Sequence, residues 1–288
     1  MFVSDQWRDY ELIDTGNGER LERWGPYLLR RPDPQVIWPS TLGEEVWNDV
    51  HGHYLRSSGG GGRWNFFKEL PERWVISYGR LNFYVRPTGF KHTGLFPEQA
   101  VNWDWFTKLI KTRTTPVRVL NLFAYTGGAT LAAAAAGAEV CHLDAAKGMV
   151  VWAKENASLS GMAELPIRWL IDDALKFVKR EQRRGRFYQG IIMDPPSFGR
   201  GPKGEIWKIE DQLYDLVRVC AETLAEDALF FLVNSYTTGL APGVIKNILS
   251  LTVGERGGTI TAAEVGLPVS ASGLKLPCGA AGRWEAEH

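Results

Sequence analysis

Cysteine is scarce in this sequence and net charge is absent, and both shortages narrow what the chain can do. Cys141, Cys220 and Cys278 are its three thiols in 288 residues. Their odd number and wide spacing argue against a disulfide framework and for a reducing compartment, with the cytoplasm as the expected location. No CxxC and no cluster of Cys and His has the spacing of zinc ligands, so no metal is expected. Lysine plus arginine and aspartate plus glutamate both number 33. The chain therefore has no overall field to steer it toward a polyanion, and any nucleic-acid contact must come from a local patch. No apolar run approaches the length of a membrane span, so no membrane partner is expected. The opening MFVSDQWRDYELIDTG mixes acids and aromatics without an apolar centre and does not read as a secretory signal. The sequence does not fix an oligomeric state.

What is present is concentrated in one stretch, VRVLNLFAYTGGATLAAAAAGAEVCHLD, from Val117 to Asp144. Val117, Val119 and Leu120 open a short apolar run suited to a strand buried on both faces of a parallel sheet. Thr126, Gly127 and Gly128 break it. Ala129 to Ala136 are strong helix formers with small side chains, and Gly137 is placed to end their helix. A second apolar run, Val140 to Leu143, finishes in Asp144, putting an acid at a strand's carboxyl end. In open α/β sheets ligands bind beyond the carboxyl ends of the strands. There a glycine turn and a helix N-terminus face an anionic group, and an acid can accept hydrogen bonds from a ribose diol. The turn lacks the G-x-G-x-x-G that close pyrophosphate approach requires. One carboxylate and a ribose fit it better than two phosphates, which leaves a nicotinamide-dependent reductase as the weaker rival. A glycine turn that merely packs a helix on a sheet is the structural alternative.

NLFAYTGG resembles motif I of class I S-adenosylmethionine-dependent methyltransferases, in the branch that includes the ribosomal RNA cytosine and guanine methyltransferases. The resemblance implies an α/β fold, a Rossmann-like seven-stranded sheet with an antiparallel final strand. It also implies S-adenosyl-L-methionine as cofactor. Asn121, Phe123, Ala124, Thr126, Gly127 and Gly128 would hold its methionine part and Asp144 its ribose. A G-x-F-x-x-Q pattern upstream, matched by Gly94, Phe96 and Gln99, implies that Phe96 and Gln99 line the same cofactor; a plain helix cap is the alternative. Ile167 to Ile171 forms another apolar run ending in Asp172 and Asp173. By resemblance one of the pair, Asp173 ahead of Asp172, receives the adenine amino group, although either could cap the next helix.

The second motif is DPPSF, Asp194 to Phe198, after an apolar run from Tyr188 to Met193. Successive prolines stiffen the backbone and withhold N–H groups, so the carbonyls beside them are expected to stay free as acceptors. Asp194, Pro195 and Pro196 would then hold a nitrogen nucleophile in line with a methyl donor, and Phe198 would stack on a planar base. The motif resembles motif IV of the same methyltransferases, in which Asp194 also borders the cofactor; a rigid turn after a buried strand is the alternative. GRGPKGEIWKIEDQL follows as a glycine-rich loop with Arg200, Lys203 and Lys208, a candidate lid. The cytosine-C5 members of the branch carry a nucleophilic Cys where this chain has Asn234 or Ser235, which disfavours that chemistry. KREQRRGR, at the end of the helix after Asp173, reads as a solvated face or as a patch for RNA phosphate.

The first part differs in texture. Hairpins are expected from Glu11 to Gly25 and from Trp74 to Arg86, with a Pro-rich segment and the SSGGGG loop, Ser57 to Gly62, between them. The expected organisation is a β-rich N-terminal domain over residues 1–90 and a methyltransferase domain over residues 91–288. The expected function is methyl transfer to RNA, on a base nitrogen rather than cytosine C5. Methylation of a protein or small molecule, and a noncatalytic RNA-binding protein on the same fold, remain the alternatives.

Overall fold

The structure, a computed structural model, describes residues 1–57, 61–200 and 206–287. Chain contacts group into two compact units, one of residues 3–100 with 266–277 and the other of residues 1–2, 101–265 and 278–288.

The strands of the first part are β1 (Phe2–Val3), β2 (Tyr10–Gly16), β3 (Glu19–Trp24), β4 (Tyr27–Pro32), β5 (Gly52–Arg56), β6 (Gly62–Phe66), β7 (Trp74–Tyr78) and β8 (Leu81–Val85), with helix α1 (Glu44–Asn48) before β5. Strands β2 to β6 form a sheet in sequence order, and β7 pairs β8 antiparallel. Both expected hairpins form. The first turns on Asn17 and Gly18, at φ 53° and 81°, the left-handed pair that suits the twist of a two-residue hairpin. Buried acids hold this unit together. Glu22 accepts from the Tyr10 hydroxyl at 2.8 Å and from Arg31 Nη2 at 2.7 Å, while Asp14 accepts the backbone N–H groups of Thr41 and Leu42 and the indole N–H of Trp47. The centre of the expected SSGGGG loop, residues 58–60, lies outside the described residues.

After a single 3₁₀ turn, Pro97–Gln99, comes α2 (Ala100–Lys111). There follow β9 (Arg118–Leu122), α3 (Gly128–Ala135), β10 (Glu139–Asp144), α4 (Lys147–Leu159), β11 (Ile167–Ile171), α5 (Ala174–Arg183), β12 (Gly190–Met193), β13 (Phe198–Arg200), β14 (Ile206–Lys208), α6 (Ile209–Ala221), β15 (Phe230–Ser235), α7 (Pro242–Val253), β16 (Thr259–Pro268) and β17 (Lys275–Glu285). Among the described residues the large sheet runs β1-β16-β17-β15-β12-β9-β10-β11. This is the expected seven-stranded sheet with the two-residue β1 added at its edge. Neighbours are parallel from β15 to β11, and β17 is antiparallel to β15. The central parallel strands β9, β12 and β15 are covered on both faces, which explains their unbroken apolar runs: Leu120, Ile191 and Phe231 are fully buried. On α6 the apolar face of Ile209, Leu213, Leu216, Val217 and Cys220 is buried, as its spacing predicts.

One expectation needs correction. The segment after DPPSF is not simply a glycine-rich loop: Phe198, Gly199 and Arg200 pair antiparallel with Lys208, Trp207 and Ile206. The β-branched and aromatic Ile206 and Trp207 favour that pairing over coil. Lys203 lies outside the described residues.

Candidate active site

The register of the parallel strands decides what meets at the rim. Met193 of β12 pairs with Leu122 of β9, and Leu122 pairs with Leu143 of β10. The residues one step beyond, Asp194, Phe123 and Asp144, therefore leave the sheet side by side. Asp144 is in turn level with Ile171 of β11. With neighbouring strands about 4.8 Å apart, Asp144 and Asp194 are separated by about 10 Å at Cα.

Between them the backbone follows an uncommon path. Phe123, Tyr125 and Gly127 have φ of 55°, 51° and 91°, so left-handed residues alternate with ordinary ones. Such conformations are costly for non-glycine residues and persist where the surroundings over-determine them. Here the restraints are visible. Ala124 donates its N–H to the Leu143 carbonyl at 3.0 Å, and Tyr125 donates its N–H to Asp144 Oδ2 at 2.9 Å. Asp144 Oδ1 accepts from Ala146 N–H at 2.8 Å. Burial raises the Asp144 pKa above the usual carboxylate value, and the two N–H donors partly offset the shift. Gly127 caps α3 from its left-handed conformation. A Cβ on Gly127 would lie 3.0 Å from Ala153 Cβ, and one on Gly128 2.5 Å from Trp103 Cζ2. Both glycines are thus required by close packing, and the sequence offers no sign of Trp103's part in it.

Two residues of the motif turn inward. Asn121 is buried, and its amide donates to Thr130 Oγ1 at 2.9 Å, which in turn meets His142 Nδ1 at 2.8 Å. Asn121 therefore braces β9 against α3 from inside the core, a task its place in the motif does not reveal. His142 is fully buried, and burial lowers its pKa to about 3. Thr126 is buried too, and its carbonyl accepts from Asn156 of α4 at 2.9 Å.

Asp173 caps α5, accepting from Lys176 N–H at 2.8 Å. Asp172 is the less exposed of the two, pairs with Arg180, and accepts the Asp173 N–H at 2.8 Å. Phe96 and Gln99 belong to the other compact unit: Gln99 is buried, and the Phe96 ring tilts against His92 at 5.2 Å.

At DPPSF, Pro195 is buried while Pro196, Ser197 and Phe198 are exposed. The expectation of free carbonyls fails at two positions. The Pro196 carbonyl accepts the Trp207 indole N–H at 2.6 Å, and the Ser197 carbonyl accepts Ile209 N–H at 3.1 Å. Ser197 Oγ also meets Thr237 Oγ1 at 2.7 Å, tying the corner to the chain after β15. Asn234 and Ser235 are buried. The Asn234 amide oxygen accepts from Asn102 at 3.1 Å, and Ser235 Oγ accepts Thr237 N–H at 3.1 Å. Burial pushes the Cys141 thiol up to about 12 and raises that of Cys220 as well.

The profile of the S-adenosylmethionine-dependent methyltransferase family matches residues 32–239. The chain belongs to this family. Its methyl donor is S-adenosyl-L-methionine. The methyltransferase is similar over 97% of its length to a SAM-dependent methyltransferase of Agrobacterium tumefaciens, with 39% identity, 91% of that chain covered and a TM-score of 0.93. Among curated relatives it is 31% identical over 206 residues to the ribosomal RNA large subunit methyltransferase K/L of Shewanella oneidensis, covering 70% of this chain and 27% of that protein. The protein of that name from Shewanella frigidimarina is 33% identical over 152 residues, 51% of this chain and 20% of its own. The methyltransferase thus spans roughly a fifth to a quarter of these curated relatives.

The rim suits the donor's chemistry. Asp144 is anchored by backbone donors yet partly exposed, as an acceptor for a diol must be. The first N–H groups of an α-helix such as α3 have no intrahelical partner, the kind of terminus that suits an anionic group. A cavity of about 510 Å³ at the opposite ends of the strands, between Arg118, Cys141, Arg168 and Arg186, lies away from this rim. At its wall the buried Glu181 accepts from Tyr188 at 2.7 Å and gathers Arg168, Arg184 and Arg186 within 3.7 Å. Arginines of the KREQRRGR segment thus have ion-pair partners. Among the described residues no group of His, Cys, Asp and Glu could hold a metal ion, and no helix is long and apolar enough to cross a membrane.

Proposed function

We propose that this methyltransferase acts on RNA and methylates a base nitrogen presented to the Asp194–Phe198 corner. The observation that carries the reading is the alignment of Asp194 with Asp144 on one rim, with the 53% exposed ring of Phe198 beside it. In this reading Phe123, Ala124, Thr126, Gly127 and Gly128 shape the cradle for the donor's methionine part. Asp144 binds its ribose and Asp172 or Asp173 its adenine. The donor supplies an electrophilic methyl on a sulfonium. Asp194 accepts the hydrogen of the target N–H, directs the lone pair along the line of transfer and takes the proton as the new bond forms. Phe198 stacks on a base swung out of its strand. The names of the curated relatives support a ribosomal RNA substrate. A nitrogen target agrees with the residues at the position of the branch's nucleophilic Cys: Asn234 and Ser235 carry no thiol and are tied into hydrogen bonds, and burial keeps Cys141 and Cys220 protonated. Residues 1–90 are then an N-terminal extension to a catalytic domain of residues 91–288.

Tritiated donor incubated with the protein and fractionated cell extract tests the proposal. Label in RNA, recovered on a nitrogen-methylated nucleoside after digestion, is expected. Label confined to protein or small molecules overturns the RNA substrate and favours the reading that the neutral net charge also permits. Label on cytosine C5 overturns the nitrogen assignment.

A further inference from the structure

Pro195 and Pro196 give the DPPSF corner rigidity but take away the two N–H groups that would ordinarily fix it to its neighbours. Its orientation must then be set by what bonds to its carbonyls and to Ser197. Ser197 is held by Thr237 and Ile209. Pro196 is held by Trp207, whose indole N–H reaches the carbonyl at 2.6 Å from the paired strand β14. Trp207 stands opposite Gly199, where a Cβ would lie 3.6 Å from the tryptophan's own Cβ. The half-buried indole also tilts against Phe123, with centroids 6.0 Å apart. Phe123 is the left-handed residue that opens the strained turn between β9 and α3. One side chain therefore bonds the substrate-side corner and packs on the donor-side turn.

We propose that Trp207 is a positioning residue for methyl transfer. By occupying the Pro196 carbonyl it withdraws that acceptor from the substrate and fixes the corner's direction, so that the target nitrogen is received by Asp194. Through Phe123 it holds this corner at a set distance from the donor. The inference rests on the proposed role of the Asp194–Phe198 corner. It assigns Trp207 to alignment of the acceptor rather than to affinity for the donor.

The test compares Trp207→Phe, which keeps an aromatic ring and loses the N–H, with Trp207→Ala, which loses both. The readouts are kcat and KM with tritiated donor and unmodified large-subunit ribosomal RNA transcribed in vitro, or the extract fraction that takes label if this RNA does not. Calorimetry with S-adenosylhomocysteine and hydrogen exchange at Ser197, Phe198 and Gly199 complete the set. Losing one hydrogen bond of about 1 kcal/mol in alignment corresponds to a roughly fivefold lower kcat for Trp207→Phe. Its S-adenosylhomocysteine affinity should stay within about twofold, and exchange at the corner should quicken. Trp207→Ala should lose more kcat. Wild-type kcat and unchanged exchange in Trp207→Phe overturn the proposal, as does a loss confined to S-adenosylhomocysteine affinity. Asp194→Asn separates the two levels. If it retains full kcat while Trp207→Phe does not, the assignment of Asp194 fails and the clamp stands; absence of label in RNA fails the RNA reading alone.

Discussion

Asp144 accepts the backbone N–H of Tyr125 at 2.9 Å. The acid proposed to bind the donor's ribose is thus also the peg on which the turn to α3 hangs, because Tyr125 sits in a left-handed conformation that needs an outside restraint.

Asp144→Ala should accordingly do two kinds of damage. It removes an ionic acceptor for the diol and frees the turn. We expect S-adenosylhomocysteine affinity to fall at least tenfold by calorimetry, since hydrogen bonds to charged groups contribute about 1.5–3 kcal/mol. Asp144→Asn retains an acceptor oxygen and should lose less. Unchanged affinity in the alanine variant would remove Asp144 from the site.

Donor binding should also depend on pH in a direction set by burial. The folded pKa of Asp144 is raised, so the group takes up its proton at a higher pH than an ordinary carboxylate as acid is added. Because the ionised form is the better acceptor, affinity should decline on acidification before ordinary carboxylates titrate, and Asp144→Asn should flatten that limb. The stability sign is opposite for this group: a raised carboxylate pKa favours the folded state toward acid, so any loss of Tm over the same range comes from other groups and not from Asp144.

Gly128→Ala should be poorly tolerated for a reason particular to this fold. The added methyl would sit 2.5 Å from the Trp103 ring, and overpacking of this kind typically costs about 1–3 kcal/mol. A lowered Tm, partly restored by the second substitution Trp103→Leu, would confirm the cause. No recovery in the double variant would place the strain elsewhere.

His142 predicts a pH dependence of folding. It is neutral in the core with a pKa lowered to about 3, whereas an unfolded histidine titrates near 6.5. Between those values the unfolded chain binds more protons, so stability rises with pH and is lost as pH falls below about 6.5. The histidine's share of that slope approaches about 1.4 kcal/mol per pH unit. Tm measured from pH 7 to pH 4 should decline less steeply in His142→Gln than in the wild type, whatever the variant's stability at pH 7. Parallel curves would refute it.

Much of the catalytic unit was legible because local chemistry and long-range demand agree there. Alternating apolar strands and alanine-rich or amphipathic helices announce themselves, and Gly137 ends α3's run as expected, at φ 103°. The site was legible in outline only. Asn121 lies within the motif, yet its amide faces Thr130 in the core. Asp173 spends an oxygen on capping α5. Trp207, in a stretch that reads as a glycine-rich loop, reaches back to Pro196 from eleven positions on. No periodicity marks such a residue, because its partner lies across a strand pairing.

The sequence by itself determined the strand, turn, helix and strand from Val117 to Asp144, that a glycine turn and two acids follow buried strands, and that no thiol occupies the Asn234–Ser235 position. Those features depend on side-chain size, backbone freedom and the presence or absence of a functional group, all properties of single residues. Only the tertiary structure decided that Asp144 and Asp194 come level across β9, that left-handed Phe123 and Tyr125 are held in place, and that Trp207 secures the Pro196 carbonyl. Those are properties of register, fixed when separate strands settle beside one another and bury a common core.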